Sequence, residues 1–175
     1  MHGGFHRAII GMAPVPLSAI SDMLRHASAC RHRALLVLSG SAAWCRASAV
    51  ALLGEVAGSV WIGHDSIPAG RARQLLGTEH AVAMFDAHDG LHPDALAAVA
   101  GTVVAGGALL LLVPPLASWP DVPDPDYERL ASYPHDWRRL SRHFLVRLRD
   151  SLLQAAQEPC CLLLEESAAH RLPAS

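Results

Sequence analysis

Five short apolar runs, at 34–38, 59–63, 81–85, 108–113 and 160–164, recur along the chain with helix-period segments between them. The runs are apolar at nearly every position, not at every second one, which is how strands read when both faces of their sheet are covered. Such strands belong to parallel sheets. Helical patterns are predicted between them over 42–53, 68–76, 93–104 and 134–157, and a leading helix over 17–29 precedes the first strand. Ser18 or Ser21 can cap the leading helix, and Pro68, Pro93 and Pro134 stand where first-turn prolines belong. Gly54, Gly77 and Gly106 fall near helix ends, where a left-handed residue closes the last turn. The order βαβαβαβαβ predicts a doubly wound α/β domain, a mostly parallel five-stranded sheet with helices on both faces in a Rossmann-like three-layer arrangement. The segment "PPLASWPDVPDPDYERLASYP" is predicted as a long irregular loop leaving the fourth strand.

Domain organisation follows from the same pattern. Residues 1–32 read as a leader and N-terminal helix, 33–166 as the α/β domain and 167–175 as the start of a linker, with Met12 a plausible true start. The apolar run at 8–15 is broken by Pro14 and has no nearby A-x-A site, so secretion is not expected. "AGGALLLLVPPLASW" ends at a double proline and is not expected to cross a membrane. Apolar residues at 51% against 17% charged exclude a disordered chain, and a net charge of −2 gives no general pull toward nucleic acid or anionic lipid. The four cysteines show no C-x-x-C spacing, which predicts reduced thiols in a cytoplasmic protein.

Three features are candidates for chemistry. The first is the turn Ser39-Gly40-Ser41, which runs from an apolar strand straight into a helix, as phosphate-binding loops do. It has no Walker lysine and no G-x-G-x-x-G pattern, so only backbone donors would hold an anion there. The second is "FDAHDGLHPDAL", which offers Asp86, His88, Asp89 and His92 as a ligand site on the C-terminal edge of the sheet, where α/β proteins usually bind. His and carboxylate side chains could ligate a metal, although no ligand spacing fixes one and no metal is assigned, and the clustered carboxylates disfavour a phosphate there. The third is the arginine series Arg138, Arg139, Arg142 and Arg149 in "YPHDWRRLSRHFLVRLRDSLLQAAQ", a candidate RNA contact beside a core face of Trp137, Leu140, Phe144, Leu148 and Leu152. No nucleophile–base set accompanies these features.

Three blocks in order carry a resemblance. They are "RALLVLSGSAAWC", then "LLGTEHAVAMFDAHDGLHPDALAAVAGTVVAGGALLLLVPPLASW", then "PHDWRRLSRHFLVRLRDSLL". Together they resemble the N-terminal domain of bacterial tRNA(Met) cytidine acetyltransferases, over roughly 33–153. The resemblance implies a parent enzyme that acetylates N4 of the wobble cytidine of elongator tRNA(Met), with acetyl-CoA and ATP as its cofactors. It also implies a helicase-like ATPase module and an acetyltransferase module as partners, tRNA as a further candidate partner, and no membrane. The family's catalytic residues have no counterparts in these blocks, so the expected role is that of a non-catalytic accessory domain. The alternative expectation is a stand-alone nucleotide- or metal-binding protein that uses the acidic edge.

Overall fold

The computed structural model describes residues 17–53 and 58–166. Five parallel strands form one sheet: β1 (Ala34–Ser39), β2 (Ser59–Ile62), β3 (His80–Asp86), β4 (Val103–Val113) and β5 (Cys161–Glu165). Their order across the sheet is β2-β3-β4-β1-β5, which puts β1 and β4 at its centre. Four α-helices accompany them: α1 (Leu17–Cys30), α2 (Ala42–Leu53), α3 (Pro93–Thr102) and α4 (His143–Ala155). The doubly wound α/β class expected from the sequence is the class found.

Alternation along the strands divides the core in two. Leu36 and Leu38 of β1, Met84 of β3 and Leu110 and Leu112 of β4 point to one face, where Met23 and Ala27 of α1 and Trp44, Cys45 and Ala49 of α2 cover them. Val37, Phe85, Leu111 and Val113 point to the other. There Ala95 and Val99 of α3, Leu145 and Leu152 of α4, and the loop residues Leu116, Trp119 and Tyr127 close the layer. Helix α1 is thus part of the core, packed on the sheet.

Two predicted helices take other forms, for local reasons. The segment expected at 68–76 is a 3-10 helix, Ala69–Leu75. Its core contacts are Ala72 with Ala69 and Leu75, a spacing of three that fits three residues per turn and not 3.6. The long helix expected at 134–157 is a single 3-10 turn, Trp137–Arg139, followed by α4 only from His143. The Arg138 carbonyl, which a continuous helix would offer to the Arg142 N–H, instead accepts from the Arg142 guanidinium at 3.0 Å. The expected core face changes with it. Leu145 and Leu152 are buried, Leu148, Trp137 and Leu140 pack against them, and Phe144 is exposed. Helix α3 stops at Thr102, and β4 takes over from Val103, because the run Thr102-Val103-Val104 is β-branched and favours extended backbone. Gly106 therefore lies within β4, at φ 81°, and not at a helix end. Gly77 holds the expected left-handed position after its helix, while Gly54, Met12 and the linker at 167–175 lie outside the described residues.

Candidate functional site

At their carboxyl ends β1 and β4 lie side by side and their connections part. Helix α2 leaves over one face, while the loop after β4 and α4 leave over the other. In open α/β sheets this divergence opens the crevice in which ligands bind. Ser39 Oγ accepts from the Leu116 N–H at 3.0 Å, and the Gly40 N–H donates to the Val113 carbonyl at 3.1 Å, so the exits of the two strands are tied together.

The turn that follows holds an anion, and the anion belongs to the protein. The Ser41 N–H donates to Glu166 Oε2 at 2.7 Å and the Ser41 hydroxyl to Oε1 at 3.1 Å. Ser41 Oγ also accepts from the Trp44 N–H at 3.3 Å, the usual duty of a helix N-cap. A carboxylate at this end of α2 meets free N–H groups and the positive end of the helix dipole. Strand register explains why it is Glu166: Ser39 pairs with Glu165, which brings the next residue level with Gly40. A Cβ on Gly40 would stand 2.7 Å from Glu166 Cβ and 2.9 Å from the Trp44 ring, so the turn requires glycine for space. We expect Gly40→Ala to lower folding stability by about 2 kcal/mol in urea denaturation, as overpacking of a tight site does. A variant as stable as the wild type would mean that Glu166 and Trp44 give way freely.

Beside this turn sits Asp86, at the end of β3 and only 2% exposed. Its carboxylate accepts from Arg46 Nε at 2.6 Å, from the His88 N–H at 3.0 Å and from His88 Nδ1 at 2.7 Å. The other ring nitrogen of His88 lies 3.1 Å from the Gly40 carbonyl. Both ring nitrogens thus lie within hydrogen-bond distance of oxygen atoms. Burial by itself would raise the Asp86 carboxyl, but the hydrogen bonds from His88 and Arg46 outweigh it and hold it down at about 2. Asp89 stands 3.5 Å from Arg46 Nη2, a charge contact that falls short of a hydrogen bond. Next to Arg46, Cys45 is buried with its Sγ 3.3 Å from the Leu38 carbonyl, and burial, then the charges of Asp86 and Glu166, push its thiol up to about 12. A thiol held protonated in this way is a packing group, not a nucleophile.

The acidic group expected from the sequence therefore divides. Asp86 and His88 meet, Asp89 reaches them through Arg46, and His92 stands apart as the N-cap of α3, accepting from the Ala95 N–H at 3.3 Å. His92, with Arg73, Asp94 and Arg129, lines a separate cleft of about 270 Å³. Among the described residues, no group of three or more His, Cys, Asp or Glu is set to hold a metal ion.

The arginines divide as well. Arg142 is half-buried and donates to the carbonyls of Pro120, Asp121 and Arg138, bracing the loop after β4. Arg149 pairs with Asp150 at 2.9 Å. Arg138 and Arg139 are exposed on the 3-10 turn, and the Arg138 guanidinium lies 4.5 Å above the Trp137 ring. Two residues that shape the site, Arg46 and Glu166, do not stand out in the sequence as site residues. The signal for Arg46 is that it is the one charged residue in the apolar run "AAWCRASAVALL", which asks for a partner.

Comparison with known proteins adds a family. A family model described as tRNA(Met) cytidine acetyltransferase TmcA, N-terminal, matches residues 12–159. The tRNA(Met) cytidine acetyltransferase TmcA of Nitrosococcus halophilus is 34% identical over 143 residues, 77% of this chain and 19% of that protein. Its counterpart in Yersinia pestis is 44% identical over 127 residues, 65% of this chain and 18% of its own length. That of Salmonella typhimurium is 38% identical over 141 residues, 74% of this chain and 21% of its own length. The matched part of the chain thus spans about a fifth of these relatives. No helix among the described residues is long and apolar enough to cross a membrane.

Proposed function

Since the chain belongs to the family of tRNA(Met) cytidine acetyltransferase TmcA N-terminal domains, we propose that it is the accessory, itself non-catalytic, domain of a cytoplasmic enzyme of that kind. The parent reaction would be acetylation of N4 of the wobble cytidine of elongator tRNA(Met), with acetyl-CoA as donor and ATP as energy source. Both cofactors would act in the helicase-like ATPase and acetyltransferase modules, which are the domain's proposed partners. One observation supports an accessory role most directly: the polar groups where an α/β sheet would bind substrate are committed to each other. Glu166 fills the anion turn and Asp86 is taken by Arg46 and His88.

Two duties fit this domain, packing against the ATPase module and helping to seat tRNA. For the second, Arg138 and Arg139 are the exposed cations of the four, Arg149 being paired with Asp150 and Arg142 serving the loop. Incubated with tRNA(Met), ATP and acetyl-CoA, the chain alone is expected to form no acetylcytidine; turnover would overturn the accessory reading. It is expected to bind tRNA with an affinity that falls as salt rises, and Arg139→Ala should shrink the log–log salt slope by about one. Binding indifferent to both salt and that substitution would remove tRNA seating and leave the packing role.

A further inference from the structure

The two edges of the sheet are finished differently. Beyond β2 the chain turns back on itself: the Gly63 N–H donates to the Ile67 carbonyl at 2.8 Å and the Ile67 N–H to the Trp61 carbonyl at 3.3 Å, which covers the end of that edge. At the other edge, β5 pairs with β1 alone among the described residues. The Leu35 N–H donates to the Cys160 carbonyl at 2.8 Å. By the alternation of a parallel ladder, Leu162 and Leu164 then also bond to β1, and the backbone groups of Cys161, Leu163 and Glu165 face outward. The Cys161 N–H is taken by the Glu158 carbonyl at 3.0 Å, which leaves the Leu163 N–H and carbonyl at the middle of an open edge. All five residues of β5 are half-buried, and "CLLLE" has none of the lysine, proline or bulge that guards a free edge.

Between α1 and β5 lies a groove of about 460 Å³. Ala19 and Met23 of α1, with Pro159 and Leu162, give it an apolar lining, and Asp22 and Glu158 add carboxylates. Asp22 is shared with Arg25. Glu158, and Glu165 at the far end of the strand, form no ion pair among the described residues. We propose that the open edge of β5, with this groove beside it, takes an added strand from the ATPase module: an extended apolar segment flanked by arginine or lysine. The inference rests on the packing reading and names the surface that would make the contact. In relatives of which the matched part is about a fifth, further polypeptide is there to supply such a strand. The strand would bond to the Leu163 N–H and carbonyl, set an alternate side chain into the groove, and bring its basic flanks to Glu158 and Glu165. A second copy of this chain fits less well. Laid antiparallel across the same edge about Leu163, it would bring its Glu165 toward Cys161 and the acids of the groove, like charge against like.

The test is capture of the fluorescently labelled chain on an array of overlapping peptides of about ten residues, drawn from the part of the Nitrosococcus halophilus and Yersinia pestis proteins outside the match. Apolar peptides flanked by arginine or lysine are expected to bind. Leu163→Pro, which removes the outward N–H and leaves the bonds to β1, should weaken them about tenfold. Glu158→Arg, a change at an exposed side chain, should weaken them as well, by a factor that shrinks as salt rises. Capture that both variants retain in full would overturn the edge and leave packing through another face. A preference for acidic peptides would overturn the partner chemistry. A wild-type chain that captures no peptide would remove the packing reading along with the edge.

Discussion

Asp86→Ala is expected to destabilise the domain by about 3–5 kcal/mol, more than any other single polar substitution in the site, because it leaves the Arg46 guanidinium and the His88 N–H groups without their common acceptor. Against a total stability on the order of 5–15 kcal/mol, such a variant would unfold at much lower urea than the wild type. Removing Arg46 as well should cost less than the sum of the two single losses, since part of the damage is an unpaired cation. Additive losses would show that the pair is not coupled. The pH dependence has a definite sign. The Asp86 carboxyl lies at about 2 in the folded protein against the usual 3.8, so the folded state binds its proton more weakly than the unfolded chain. Its contribution, about 2 kcal/mol, is present above 3.8 and is lost as pH falls through about 2. The advantage of the wild type over Asp86→Asn should narrow across that window, and an advantage unchanged by acid would mean that Asp86 is not held as a carboxylate.

What the sequence made legible follows the range of the forces involved. Apolar runs at 34–38 and 108–113 announce central parallel strands because burial on both faces leaves no polar position, and β1 and β4 are those strands. The Ser39–Ser41 turn was legible as a strand-to-helix corner with free N–H groups. Its occupant was not, since Glu166 arrives from the far end of the chain and is placed by the pairing of β5 with β1. The same applies to Arg46 and Asp86, 40 positions apart and joined only once β1 and β3 flank β4. Helix type failed where tertiary demands overrode periodicity. Arg142 spends its guanidinium on the loop carbonyls and so interrupts the helix that "PHDWRRLSRHF" suggests. That interruption sets Arg138 and Arg139 on a separate exposed turn, which a continuous helix would not have done.

A second buried aspartate should behave in the opposite way. Asp124 caps the 3-10 helix Pro125–Leu130 in the loop after β4, accepting from the Leu91 N–H at 3.0 Å and from the Asp126 N–H at 2.9 Å. Asp124→Ala strands both amides, one of them buried, and is expected to cost about 3 kcal/mol, read from urea denaturation at neutral pH. Asp124→Asn keeps Oδ1, which accepts from the Leu91 N–H at 3.1 Å and the Asp126 N–H at 2.9 Å, but puts an NH2 donor where Oδ2 faced the Leu91 N–H. It should cost about 1 kcal/mol, less than the alanine change. The difference from Asp86 is the absence of a cation. Burial raises the Asp124 carboxyl above its usual value, the two amides offset only part of that, and the nearby charge of Asp126 adds to the rise. A carboxyl raised in the folded state supports folding fully below its unfolded value, and that support is lost as pH rises through the folded one. The asparagine variant is free of this loss. It should therefore gain on the wild type from acid toward neutral pH, where Asp86→Asn falls behind. If both asparagine variants moved in the same direction with pH, the contrast would fail, and with it the conclusion that Arg46 and His88 are what keep one buried carboxylate charged.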